Sequence, residues 1–166
     1  MGRTAHGGRI ATLAVAALAV VLLAVLALFA AKGALPMGDP YARPGQVVSL
    51  PDHRKLNFRC QGHGSPTVIL EAGYDAGSNA WGKVAPRIAP VTRVCAYDRA
   101  GYGFSDPGPM PRDGAAIARD LDYGLRAAGV SGPFVVVAHS AGGLYARLFA
   151  ARRPKDVVGL VFLDSS

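Results

Sequence analysis

Phe134-Val135-Val136-Val137-Ala138-His139-Ser140-Ala141-Gly142-Gly143 runs from an apolar, β-branched segment directly into a cluster of small residues. Val135, Val136 and Val137 form the continuous apolar run expected of a strand buried on both faces. From Ala141 to Arg153, Leu144 pairs with Leu148 and Tyr145 with Phe149 at i,i+4 spacing, and Pro154 follows, so this part reads as a helix. Ser140 therefore sits on a tight strand-to-helix turn. Such a turn holds its serine in a strained backbone conformation, and its flanking positions must be small enough for strand and helix to approach. Ala138 and Gly142 meet that need, although the commoner form has Gly where this chain has Ala138. A serine capping the helix N-terminus is the other reading of the same turn.

Working outward, the chain alternates β-rich runs with helical patterns, the signature of βαβ units and a mostly parallel sheet. Six runs are expected as strands: 46–50, 55–61, 67–71, 91–97, 134–138 and 157–163. The first two are separated only by Pro51 to Arg54 and read as an antiparallel hairpin. Between the fourth and fifth, Asp113 to Ala128 places Ile117, Leu121 and Leu125 on one face and ends at Gly129, an amphipathic helix with a glycine stop.

Two loops carry a more specific pattern. Thr67-Val68-Ile69-Leu70-Glu71 leads into Ala72-Gly73-Tyr74-Asp75-Ala76-Gly77, and Tyr97 to Pro109 contains Asp98, Gly101, Gly103 and Ser105 in a D-x-x-G-x-G-x-S arrangement. With Ser140 on its turn, residues 46–166 resemble the serine hydrolases of the α/β-hydrolase fold, esterase- or lipase-like. The resemblance implies a mostly parallel sheet with helices on both faces and a nucleophile at Ser140. The backbone N–H groups of Tyr74 and Ala141 would form the oxyanion hole. Asp98, Arg99 and Ser105 would brace the rim of the site. The substrate would be a small molecule with an ester-like acyl bond, and neither a metal nor an organic cofactor is implied. The sheet order of this family makes the second and fourth strands neighbours, which implies a bridge between Cys60 and Cys95.

In that family the nucleophile is followed by an acid and then a histidine. No histidine follows Ser140. The expectation is a domain truncated after about its sixth strand, poorly active alone and left with an aggregation-prone edge at 157–163. Asp164 reads as a strand-end residue, His139 as a packing residue, and His53 and His63 as surface or turn residues. A truncated, noncatalytic binding or structural module is the reading from a different class.

The 166 residues are 51% hydrophobic and 17% charged, too apolar for a disordered chain. Part of that excess lies in the uncharged run 10–31, which matches the ~20 apolar residues a membrane-spanning helix needs. Arg3 and Arg9 precede the run and orient the N-terminus toward the cytoplasm. The expected organisation is a cytoplasmic basic tail at 1–9, a single transmembrane helix at 10–31, a Gly- and Pro-rich linker at 32–45 and an extracytoplasmic domain at 46–166. A cleaved signal peptide is the rival reading, and the length of the run favours the anchor. The net charge is +7, but no Lys/Arg run interleaved with aromatics accompanies it, so a nucleic-acid partner is not expected. The two cysteines show no metal-binding spacing.

Overall fold

The computed structural model describes residues 41–165. Six strands form one sheet among these residues: β1 (Gln46–Ser49), β2 (Lys55–Gln61), β3 (Thr67–Glu71), β4 (Val94–Asp98), β5 (Phe134–His139) and β6 (Val157–Leu163). Their order is β1-β2-β4-β3-β5-β6. β1 pairs antiparallel with β2 and β2 with β4, whereas β4, β3, β5 and β6 run parallel. Among the described residues three helices accompany the sheet: α1 (Ala85–Ile88), α2 (Gly114–Ala127) and α3 (Gly142–Arg152), with a 3-10 turn at Ser78–Trp81 before α1.

The period-2 alternation of the strands divides their side chains between two cores. Ile69, Cys95, Tyr97, Phe134 and Val136 join the first, together with Leu121 and Leu125 of α2 and Phe149 of α3. Val68, Leu70, Val94 and Ala96 join the second, with Trp81 and Ala85. Helices thus cover both faces, as the continuous apolar strands require. Leu121 and Leu125 are each 1% exposed, and full burial of such a side chain contributes about 1.5–3 kcal/mol.

Local chemistry sets the ends of α2. The Asp113 carboxylate accepts from the Ala116 N–H at 2.8 Å, and Gly129 adopts φ +67° just past the last turn. The buried Asp122 then ties α2 to α3, pairing with Arg126, Arg152 and Arg153.

Two departures from the sequence reading are local. The fourth strand starts at Val94 rather than Val91, because the Val91 and Thr92 N–H groups turn back to the Ile88 carbonyl at 2.8 and 3.1 Å and leave Val91 exposed. The 3-10 turn and α1, four residues each, were not expected from periodicity.

Cys60 and Cys95 face each other in the β2–β4 register and form a disulfide with Cα atoms 4.1 Å apart. The implied bridge is present. The tail, the apolar run 10–31 and the linker up to residue 40 lie outside the described residues. Among the described residues no helix is long and apolar enough to cross a membrane.

Candidate active site

Ser140 follows β5 with φ +51°, a left-handed conformation uncommon for a residue with a side chain. Its N–H donates to the Leu163 carbonyl at 3.2 Å and its own carbonyl accepts from the Gly143 N–H at 3.0 Å. The N-cap of α3 is Ala141, and no side chain caps this helix. Ser140 is thus not the capping serine of the alternative reading.

The close approach behind this turn is measurable. A Cβ on Gly142 would lie 2.7 Å from the Ala72 carbonyl oxygen and 2.8 Å from that of Glu71. The start of α3 therefore rests on the backbone at the end of β3, and only glycine fits. On the same side, a Cβ on Gly73 would lie 3.2 Å from Ser140 Cβ and 3.0 Å from His139 Nδ1. The loop after β3 and the turn after β5 are in contact, as the sequence reading required.

A buried guanidinium holds that loop. Arg99 Nη1 donates to Glu71 Oε1 at 2.8 Å and to the Ala72 carbonyl at 2.6 Å. Its Nη2 donates to the carbonyls of Gly73 at 2.5 Å, Tyr74 at 3.2 Å and Ala76 at 3.2 Å. Glu71 Oε2 also accepts from the Tyr97 hydroxyl at 2.6 Å. Glu71, Tyr97 and Arg99 are all buried. Burial pushes the Glu71 carboxyl above its usual range against the pull of the Arg99 charge. The Tyr97 phenol is driven up by burial and by the neighbouring Glu71 carboxylate. Desolvation works against the Arg99 charge, but Glu71 and the surrounding acceptors outweigh it, so the guanidinium holds its proton more firmly than usual.

Asp98 organises the other loop. Its carboxylate accepts from Asn57 Nδ2 at 2.8 Å, Ser78 N–H at 2.7 Å and Phe104 N–H at 3.1 Å. Ser105 Oγ donates to the Asp98 carbonyl at 2.6 Å and accepts from the Asn57 N–H at 2.9 Å. Gly101 and Gly103 take φ +89° and +50°, the values that turn the chain back on Asp98. The motif residues are thus braces in this structure.

Two cavities are lined by residues of the loop after β3 and of the segments near the turn, although Ser140 is in the wall of neither. One of about 280 Å³ is lined by Ala72, Trp81, Val84, His139 and Leu163 among others. Another, of about 320 Å³, has Tyr74, Arg99, Tyr102 and Tyr145 in its wall. A third, of about 360 Å³, lies between the β1–β2 turn and the start of α2 and includes none of the expected site residues.

His139 differs from the reading as a packing residue. Its side chain is exposed and lines the smaller cavity. The direction follows from the strand pleat, which turns Ala138 into the core and His139 out of it. His53 is exposed in the β1–β2 turn, three strands from β5. His63 follows β2, whose antiparallel pairing puts that end on the opposite side of the sheet from Ser140. Asp164 is exposed at the end of β6, with φ +45°. Among the described residues no cluster of His, Cys, Asp or Glu could hold a metal ion. Sequence reasoning expected Arg99 as a brace but missed the partners it clamps, Glu71 and the carbonyls of residues 72–76. The signal for the clamp was a glutamate closing the apolar run Val68-Ile69-Leu70, since a buried carboxylate demands a cation or a donor.

A mostly parallel sheet with a left-handed serine between strand and helix defines a recognisable class of α/β protein. The chain belongs to the alpha/beta hydrolase fold family, whose model matches residues 66–166. An uncharacterized protein of Schizosaccharomyces pombe is 33% identical over 151 residues, 74% of this chain and 28% of that protein. Among solved structures, Cfl2 from Burkholderia cenocepacia superposes with a TM-score of 0.69 at 30% identity, over 77% of this chain and 44% of that one. A thermophilic esterase from Thermogutta terrifontis gives 0.66 at 25% identity, over 73% and 45%. The chain spans less than half the length of each of these proteins.

Proposed function

We propose that this protein is a serine hydrolase of ester-like acyl bonds with Ser140 as nucleophile and the Tyr74 and Ala141 backbone N–H groups as oxyanion hole. The observation that carries the reading is the left-handed Ser140 between β5 and α3, with Gly73 of the neighbouring loop against it. Neither the Tyr74 nor the Ala141 N–H donates to another group among the described residues, so both are free to receive a substrate oxygen. The esterase among the structural neighbours supports the ester-like class.

In the first step Ser140 Oγ bonds to the acyl carbon and its proton leaves toward a base. The carbonyl oxygen takes the negative charge between the two N–H donors. Collapse breaks the bond to the leaving alcohol, which departs with a proton, and water then cleaves the acyl-serine to release the acid. The Ala141 N–H adds the positive end of α3 to this stabilisation. No metal or organic cofactor takes part.

The remaining organisation belongs to the same proposal: a basic tail at 1–9, a membrane-spanning helix at 10–31, a linker at 32–45 and the hydrolase part at 46–166 on the extracytoplasmic side. The Cys60–Cys95 disulfide supports export, since such bonds persist in oxidising compartments. The deciding experiment is labelling with a fluorophosphonate and locating the adduct by peptide mass spectrometry. Slow modification of Ser140, lost in Ser140→Ala, is the expected result, since no histidine follows Ser140 to activate it. An unmodified Ser140 in folded protein would sink the reading and favour a noncatalytic module. For the membrane segment, an N-terminus beginning just after Ala31 in the mature protein would replace the anchor with a signal peptide.

A further inference from the structure

Peptide geometry links the buried Arg99 to the Tyr74 N–H. The Gly73–Tyr74 bond is trans, since the cis peptide bonds among the described residues are all X–Pro. In a trans planar peptide the C=O and the following N–H point in opposite directions. The Gly73 carbonyl is drawn onto Arg99 Nη2 at 2.5 Å, so the Tyr74 N–H must point away from the guanidinium. Gly73 itself touches the Ser140 turn, its added Cβ falling 3.2 Å from Ser140 Cβ. The carbonyls of Ala72, Tyr74 and Ala76 are gathered by the same guanidinium, which fixes the loop on both sides of the critical peptide.

We propose that Arg99 is a positioning residue for acyl transfer: by collecting the inward carbonyls of residues 72–76 it aims the Tyr74 N–H at the oxyanion, with Glu71 and Tyr97 holding the guanidinium in place. This rests on the serine-hydrolase reading above and adds the group that presets its oxyanion hole. The chemistry suits arginine and not lysine. A planar fork serves several acceptors at fixed angles, whereas an ammonium is a single point with rotating donors. Glu71 is placed to neutralise the buried charge, and its second oxygen is tied by Tyr97, so the fork has little freedom to rotate. A donor held before the substrate arrives needs no reorganisation when charge develops, and oxyanion stabilisation depends on that property.

The test compares the 166-residue chain with Arg99→Lys and with Tyr97→Phe, which removes only the hydroxyl on Glu71. Phe149→Leu, a core change outside the site, controls for lost stability. An alkyl fluorophosphonate is the probe, with the maximal labelling rate at Ser140 read separately from the concentration giving half that rate. Arg99→Lys is expected to slow the maximal rate about 10- to 100-fold, less than the ~10²–10³ that follows outright loss of an oxyanion donor. The half-saturating concentration should stay within about threefold of the parent, because ground-state binding does not use the oxyanion hole. Tyr97→Phe should slow labelling about fivefold, the equivalent of one ordinary hydrogen bond, and Phe149→Leu should match the parent. Hydrogen exchange supplies a readout free of catalysis: Arg99→Lys should speed exchange of the amides at 72–77 while those of β3 and β5 keep their protection. Arg99→Lys labelled at the parental rate, or a 72–77 loop as protected as before, overturns the inference and leaves the serine reading standing. A parent protein unlabelled at Ser140 overturns both.

Discussion

Gly142 abuts Ala72 so closely that a Cβ on the glycine would lie 2.7 Å from the Ala72 carbonyl oxygen. The obstacle is backbone, so no rotamer change relieves it. Gly142→Ala is expected to push α3 off the end of β3 at a cost of about 1–3 kcal/mol, the range for forced overpacking. Urea unfolding checks the stability. Displacement of the helix start should also carry the Ala141 N–H out of line, so fluorophosphonate labelling of Ser140 falls together with stability.

Ser140 offers the opposite trade. At φ +51° its side chain is strained, and glycine would not be. Ser140→Gly should raise the unfolding free energy by about 1 kcal/mol, the released strain of ~1–3 kcal/mol exceeding the ~0.5–1 kcal/mol of added chain entropy. The same variant should lose all labelling at this position. A variant less stable than the parent would mean that the serine conformation is not strained in solution.

The Cys60–Cys95 bridge ties β2 to β4 across a sequence separation of 35 residues. β2 and the β1 it carries stand at one side of the sheet, and β4 is the neighbour through which β2 joins the parallel strands. Replacing both cysteines by serine is expected to cost about 2–4 kcal/mol, the usual range for a disulfide. Guanidinium titrations with and without reductant should reproduce this difference in the parent and show none in the double variant.

Glu71 gives stability a pH dependence whose sign follows from burial. Its carboxyl is pushed above the ordinary value of 4.5 in the folded chain, so the folded state binds this proton more tightly than the unfolded one. The contribution is therefore fully present below pH 4.5 and is lost as pH rises through the folded value. Glu71→Gln should flatten that decline in the unfolding free energy measured above pH 4.5. A decline as steep in the variant as in the parent would assign the slope to another group.

Much of this architecture was readable in the residues. β2, β3 and β6 have the expected ends because apolar runs bounded by turn residues leave little choice of register. The turn at Ser140 was readable from Ala138 and Gly142, whose small size the packing of β3 on α3 demands. The segment before β4 was not: Val91 and Thr92 carry β-branched side chains yet close the turn after α1, where local hydrogen bonds override their preference. The Arg99 clamp was hidden for a different reason. Four of its five acceptors are main-chain carbonyls, which have no letter in the sequence. His139 was misread because an exposed imidazole at a cavity mouth and one wedged in a core look the same in the chain until the pleat assigns its side.

The Ser140 N–H is held by the carbonyl of Leu163, the last residue of β6, and β6 is the outermost strand among the described residues on that side. A strand paired along one flank opens at a lower free energy than one paired along both. Among the described residues the Ser140 turn is thus moored to an edge strand as well as to β5, which carries it. Anything that docks along β6, or frays it, would reset the lifetime of that single hydrogen bond, and the strand would then act as a tuning peg for the serine's backbone.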